Sequence, residues 1–160
     1  MGAPKINKDF FRAIVARAFI NAVEKTVETY TGERPRQGTH EITYSLNPPY
    51  EVAGIVDFKC GGMDVMMMIV FDTSSICSLY ESMLAEKVTS LTPEVQDCVG
   101  ELANITYGNA KTPLSAEGYD LPMARPNVSL TYQERLKDRS CLHLPFETKT
   151  NLKIGLILAV

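Results

Sequence analysis

The first apolar positions of the chain recur with the period of an α-helix. They are spaced three and four residues apart from Phe10 to Tyr30, which is the stripe that a helix packs against a core. Asn7 is predicted to cap this helix, and Gly32 to end it. The segment therefore predicts an amphipathic helix at the start of the fold.

The period then changes to two, which is typical of strands. Ile42, Tyr44 and Leu46 alternate with polar residues and predict a half-buried strand that ends at a pair of prolines. A second strand is predicted over residues 52–60 and a third over 65–71, joined by a hairpin turn at Gly61-Gly62. The third strand is uniformly apolar, so we expect it to be covered on both faces.

Two helices and three strands complete the pattern. Asp72 is among several candidate caps for a helix through residues 76–84, and Thr92-Pro93-Glu94 starts another that should end or kink near Thr112, because Pro113 clashes with a preceding carbonyl. Strands are predicted at residues 128–132, 141–148 and 151–160.

Laying residues 10–30 over residues 98–118 also aligns the two strand hairpins, which suggests an internal duplication. The order predicts an α+β fold with a six-stranded antiparallel sheet under helices, as one domain over residues 1–160.

Composition narrows the classes of function. The 160 residues carry a formal net charge of −3 and are 45% hydrophobic, which is typical of a globular domain. A mildly acidic chain is a poor match for nucleic acid, and the longest apolar run, residues 65–71, is too short to span a membrane. The N-terminus has no apolar signal core, so we expect a cytoplasmic protein.

The four cysteines have no metal-binding spacing. Cys60, Cys77, Cys98 and Cys141 are far apart, and neither histidine lies close to a cysteine in sequence. We expect buried, reduced thiols and no structural metal.

The outer face of the third predicted helix is unusual. Apolar residues occupy one arc of the helical wheel: Val95, Val99, Leu102, Ala103, Thr106, Tyr107, Ala110 and Leu114. The opposite arc holds Asp97, Gly100, Glu101, Asn104, Gly108 and Lys111. An exposed glycine in a helix costs about 1 kcal/mol relative to Ala, so we expect the glycines to admit another backbone. The alternative is that they make room for this chain's own strands.

This helix carries a resemblance to a known family. Residues 100–114, Gly-Glu-Leu-Ala-Asn-Ile-Thr-Tyr-Gly-Asn-Ala-Lys-Thr-Pro-Leu, resemble the signature helix of the CheC/CheX/FliY phosphatases, in which Glu-x-x-Asn precedes Gly-Asn-Ala and a leucine. Arg125-Pro126-Asn127-Val128 resembles the entry into the following strand. The chain is more similar to CheX, which has one active helix, because the equivalent positions of the first helix are Ala13 and Ala16. Pro113 departs from the pattern.

The resemblance implies a CheC-like pseudo-symmetric fold and a hydrolase. Its substrate would be the aspartyl phosphate of a CheY-like response regulator, in chemotaxis or related two-component signalling. Asn104 would position a water, and Glu101 would pair with a lysine of the partner. Asp97, Gly100, Gly108 and Lys111 would contact the partner. Mg²⁺ is expected on the response regulator, and no cofactor is expected on this chain.

Two other functions and a homodimer are also considered. The resemblance also allows a non-catalytic module that binds a response regulator without hydrolysing it or that resembles the flagellar switch. The presence of both Glu101 and Asn104 argues against this alternative. A Ca²⁺ or Mg²⁺ site on Asp97, Glu101 and Asn104 would have too few oxygen ligands. CheX-type proteins are dimers by resemblance, and the apolar C-terminal strand, residues 156–160, leaves an edge or face that needs cover, so this edge is a candidate interface.

Overall fold

The first helix ends where the sequence predicts. In the computed structural model, which describes residues 11–39, 41–43 and 50–160, a π-helical turn at Phe11–Val15 continues into α1, Ala16–Thr31. Gly32 follows with φ at 72°, and its N–H donates to the carbonyl of Glu28 at 2.8 Å. Glycine adopts this left-handed conformation without steric cost, which is why the helix ends there. The proposed cap Asn7 lies outside the described residues, as do Tyr44 and Leu46 of the first predicted strand.

The described strands form one antiparallel sheet. They are β1 (Arg36–Gln37), β2 (Glu41–Thr43), β3 (Val52–Cys60), β4 (Met63–Phe71), β5 (Asn127–Ser129), β6 (Cys141–Glu147) and β7 (Lys153–Ala159). The spatial order is β1-β6-β7-β4-β3-β5, and β2 also pairs with β6. Because β1 and β2 pair with successive parts of β6, the sheet of the described residues is six strands wide. The α+β class and the six-stranded sheet are therefore confirmed.

The order of strands has a pseudo-twofold pattern. Exchanging β2 with β5, β3 with β6 and β4 with β7 gives the same sheet read from its other edge. The central antiparallel pair is β4 and β7, one strand from each half. Each half contributes a long helix, α1 or α3 (Pro93–Ala116), and these two helices pack against each other.

Side-chain and backbone caps fix the starts of α2 (Thr73–Leu84) and α3. The Asp72 carboxylate accepts from the N–H of Ser75 at 2.8 Å, and the Thr92 hydroxyl accepts from the N–H of Val95 at 3.2 Å. Pro93 occupies the first turn of α3, where its missing N–H is not needed. The turn between β3 and β4 is formed by Gly61 and Gly62, both at positive φ, as the sequence predicts.

Apolar residues are buried on both faces of the sheet. The helices cover one face, while Tyr50 and Tyr132 pack in a second cluster with Met66 and Met68. Met66, Met67 and Met68 are 0% exposed, so this run fills the core, as expected.

The four cysteines are buried and free. Among the helices of the described residues, none is long and apolar enough to cross a bilayer.

Helix α3 does not end near Thr112, which was one of the two predicted outcomes at Pro113. The helix passes through Pro113 and continues to Ala116. Pro113 falls in the last turn, where it removes a single hydrogen bond, and Leu114 beside it is 0% exposed. Burial of Leu114 stabilises a turn that proline alone would disfavour.

The strand predicted at residues 128–132 is much shorter. Strand β5 ends at Ser129, and Tyr132–Leu136 form a 3-10 helix. Tyr132 is fully buried, and its hydroxyl donates to the carbonyl of Tyr50 at 3.1 Å. That distant partner draws the chain away from the sheet after three residues.

The C-terminal strand is not an edge. Strand β7 pairs with β4 on one side and β6 on the other. The proposal that residues 156–160 form a dimer interface is therefore wrong, because their backbone groups already bond within the sheet. A continuously apolar strand fits this central position.

Candidate active site

The inner face of α3 fixes the position of the helix on the sheet. All eight residues of the predicted apolar arc are buried. Beneath them, Gly54 of β3 has no room for a side chain, since an added Cβ would lie 2.7 Å from the Cβ of Ala103 and 2.8 Å from the carbonyl oxygen of Val99. The absence of a Cβ at Gly54 therefore allows α3 to approach the sheet closely.

A buried polar cluster fixes α3 against α1. The Thr106 hydroxyl donates to the hydroxyl oxygen of Thr26 at 3.2 Å, and the side-chain amide of Asn109 donates to the same oxygen at 3.2 Å. Thr26 in turn donates to the carbonyl of Ala22 at 2.8 Å. Sequence reasoning assigned no role to Asn109 beyond the Gly-Asn-Ala motif. The cluster sets the rotation of α3 and so determines which of its residues face solvent.

Glu101 and Asn104 are both exposed on the outer face of α3. They are separated by about 4.5 Å along the helix axis, from the helical rise, and project from neighbouring positions. Among the described residues, neither side chain has a hydrogen bond or an ion pair. An acid and an amide are thus presented together to a partner or a ligand.

The two glycines of this helix differ from each other. Gly108 is exposed, and an added Cβ would meet nothing within 4 Å. Gly100 is buried, and an added Cβ would lie 3.3 Å from Val128 of β5. The expectation that Gly100 faces solvent is wrong, because β5 covers that side of the helix. Gly100 makes room for this chain's own strand and is not available to a partner.

A depression of about 200 Å³ lies beside Asn104. It is lined by Asn104, Tyr107, Gly108, Lys111, Met123 and Ala124. Its floor is low because Gly108 has no side chain. The loop that carries Met123 and Ala124 supplies the second wall, and no periodicity in the sequence pointed to these two residues.

Tyr107 joins that loop to the helix. Its hydroxyl donates to the carbonyl of Pro122 at 2.6 Å, and its ring lies 5.3 Å from the ring of Phe58. Burial, with a smaller contribution from Cys60, raises the pKa of Tyr107 to about 12, so the hydroxyl keeps its proton at neutral pH. The Lys111 ammonium lies 6.0 Å from the centre of the Tyr107 ring. At this distance the ring and the cation attract each other weakly.

Two further titratable residues, Asp97 and Cys98, precede the pair on α3. Asp97 is exposed one turn before Glu101. Burial and, secondarily, the Glu101 charge raise the pKa of Cys98 to about 11, so this thiol stays protonated. Within the described ranges, no group of three His, Cys, Asp or Glu side chains is placed to hold a metal ion.

Comparison with known proteins identifies the family of the chain. The family model described as chemotaxis phosphatase CheX matches residues 52–147. A CheC-like superfamily protein from Shewanella sp. PV-4 is 23% identical, with a TM-score of 0.79 over 96% of this chain and 98% of its own. Chemotaxis protein CheX from Vibrio vulnificus is 23% identical, with a TM-score of 0.75 over 89% of this chain and 95% of its own.

A third similar structure is a complex. A chain of the CheX-CheY-BeF₃-Mg²⁺ complex from Borrelia burgdorferi is 18% identical, with a TM-score of 0.73 over 90% of this chain and 96% of its own. At these identities the structures establish the fold. Among curated proteins, no match to the chain was found. The family match covers more than half of the chain and includes all of α3, so the chain belongs to the CheX family of chemotaxis phosphatases.

Proposed function

We propose that this protein hydrolyses the aspartyl phosphate of a CheY-like response regulator, with Glu101 and Asn104 as the catalytic pair. The observation that carries the proposal is their joint exposure on the family's signature helix, with an open depression beside Asn104. Neither side chain is used in the described fold, so both are available to a second protein. Their exposure supports the roles that the resemblance implies for them.

The reaction needs a positioned water and little else from this chain. The water oxygen forms a bond to phosphorus as the bond between phosphorus and the aspartate oxygen breaks, which leaves a carboxylate and inorganic phosphate. Asn104 orients the water, because its amide oxygen accepts a hydrogen bond from it and its NH₂ group can donate to a phosphoryl oxygen. The amide is not a general base, and the proton of the water leaves with phosphate. No covalent intermediate forms on this chain.

Glu101 fixes the register of the two proteins by pairing with a lysine beside the phosphorylated aspartate of the partner. Asp97, Gly108 and Lys111 lie around the pair and form the edge of the contact. Charges at such an edge change the rate of association more than the affinity.

The partner brings the metal in this proposal. The Borrelia burgdorferi neighbour is a CheX-CheY complex that contains BeF₃ and Mg²⁺. By analogy, Mg²⁺ belongs to the response regulator here, and this chain needs no cofactor of its own. Mg²⁺ would neutralise charge on the phosphoryl group, while Asn104 acts on the water.

The direct test follows release of phosphate from a phosphorylated CheY-like receiver domain with Mg²⁺. Wild-type protein should accelerate the release, and Glu101→Gln and Asn104→Ala should each abolish most of that acceleration. Glu28→Gln and Asn21→Ala are matched controls, since both residues are exposed on α1. They should behave as wild type.

Each result has a definite meaning. Acceleration that is lost in both site variants and kept in both controls supports a phosphatase acting through α3. Binding of the receiver without acceleration would make the chain a docking module, and acceleration that survives both site variants would refute the assigned roles.

We further propose that the protein is a homodimer, as the resemblance implies, through a surface other than β7. Light scattering at micromolar concentration should give twice the chain's mass of 17.7 kDa. A monomer under those conditions would overturn this part of the proposal.

A further inference from the structure

Met123 is the most unusual residue of the depression beside Asn104. This residue is 95% exposed, compared with 58% for Leu84 and 49% for Leu130. Single exposed apolar residues are common on protein surfaces and carry no meaning by themselves. The position of Met123 on the wall of the depression is what distinguishes it.

The loop that carries Met123 is attached to the core immediately before Met123. Tyr119 and Leu121 before it are 2% and 6% exposed. The hydrogen bond from Tyr107 to the carbonyl of Pro122 then ties the loop to α3 next to Met123. Pro122 and Pro126 also restrict the backbone on either side. The methionine is therefore held at this place by the fold.

The geometry of the proposed reaction decides what covers Met123. Asn104 must come within hydrogen-bond distance of a water at the phosphoryl group, and Asn104 is itself part of the lining of the depression. A receiver domain that reaches Asn104 therefore lies over the depression and over Met123. Open space above Gly108 leaves room for it.

We propose that Met123 is an apolar anchor for the receiver domain, in contact with an apolar side chain next to the phosphorylated aspartate. This inference rests on the proposed function and adds a specificity-determining residue to it. Methionine suits the role, because its flexible thioether adapts to different partner surfaces. Anchors of this kind lie near the centre of an interface and are surrounded by polar contacts, here Asn104 and Lys111.

The test measures binding and turnover separately. The probe is a CheY-like receiver domain with beryllofluoride and Mg²⁺ for the dissociation constant, and the phosphorylated receiver for kcat and KM. Met123→Gln and Met123→Ala should each weaken binding about ten-fold, which corresponds to about 1.4 kcal/mol, with kcat unchanged. Met123→Leu should restore binding, and Leu84→Ala, an exposed leucine at the end of α2, is the matched control.

The outcomes separate the two proposals. If wild-type protein neither binds nor dephosphorylates the receiver, the proposed function fails and this inference fails with it. If wild type is active and the Met123 variants bind the receiver as tightly as it does, only the anchor is refuted. A fall in kcat with unchanged binding would also refute it. Because Met123 is exposed, unfolding should not obscure the result, and circular dichroism verifies this for each variant.

Discussion

At the scale of single residues, the two faces of α3 use polar groups in opposite ways. Glu101 and Asn104 are exposed without a partner among the described residues, whereas Thr26, Thr106 and Asn109 satisfy one another between two helices. The buried cluster holds α3 in one rotation, and the exposed pair depends on that rotation. The cluster should therefore contribute to stability and, through it, to the site.

Thr26→Val should destabilise the protein by about 1–3 kcal/mol, because the buried Thr106 hydroxyl and the half-buried Asn109 amide lose their shared acceptor. Adding Thr106→Val to the Thr26→Val protein should lower the free energy of unfolding by less than Thr106→Val does in the wild-type protein. The reason is that the Thr106 hydroxyl has already lost its partner. Chemical denaturation of both single variants and the double variant measures this coupling. Strictly additive losses would show that the three groups do not act together.

At the scale of elements, two glycines at α3 have opposite surroundings. Gly54 in β3 lies under the helix, where a Cβ would collide with Val99 and Ala103, while Gly108 on the helix faces open space. The same substitution should therefore have opposite effects at the two positions.

Gly54→Ala should lower the free energy of unfolding by about 1–3 kcal/mol, because the helix must move away from the sheet. Gly108→Ala should raise it by up to about 1 kcal/mol, from helix propensity alone. It should also weaken receiver binding, since its methyl group enters the depression. Urea unfolding and the binding assay measure both effects. Equal destabilisation by the two substitutions would contradict the placement of α3.

The sequence predicts correctly those features that depend on residues close to each other along the chain. The caps Asp72 and Thr92, the Gly61-Gly62 turn and the buried arc of α3 follow from nearby residues, and all are confirmed. The incorrect predictions concern residues whose contacts lie far away in the sequence. Gly100 is covered by Val128, and Tyr132 is bonded to Tyr50. No local pattern contains those contacts, and the same is true of Met123 beside Asn104.

At the scale of the whole molecule, the two halves share an architecture but not a site. The first-half positions equivalent to Glu101 and Asn104 are Ala13, which is exposed, and Ala16, which is buried. At these equivalent positions, the second-half helix has the acid and the amide, and the first half has two alanines. Helix α1 supports α3 through Thr26.

Alkaline pH should destabilise the whole fold. Burial raises the pKa of Tyr50, with help from the Asp72 charge, and that of Tyr107 from 10.0 to about 12. The folded state then holds these protons more tightly than the unfolded chain, so their contribution is complete below pH 10 and is lost as the pH rises to about 12. Melting temperatures between pH 8 and 12 should fall above pH 10. The melting temperature of Tyr107→Phe should fall less steeply with pH than that of the wild-type protein. If both melting temperatures fell with the same slope, titration of Tyr107 would not contribute to the loss of stability.

The most direct test of the central claim is the rate of dephosphorylation when the receiver is saturated with this protein. At saturation, differences in binding no longer matter, and the rate reports the positioned water alone. We predict that Asn104→Ala lowers this rate constant about a hundred-fold or more, as expected when a reacting group loses its orientation, while Asn21→Ala leaves it unchanged. An Asn104→Ala protein that dephosphorylates the saturated receiver at the wild-type rate would contradict the account.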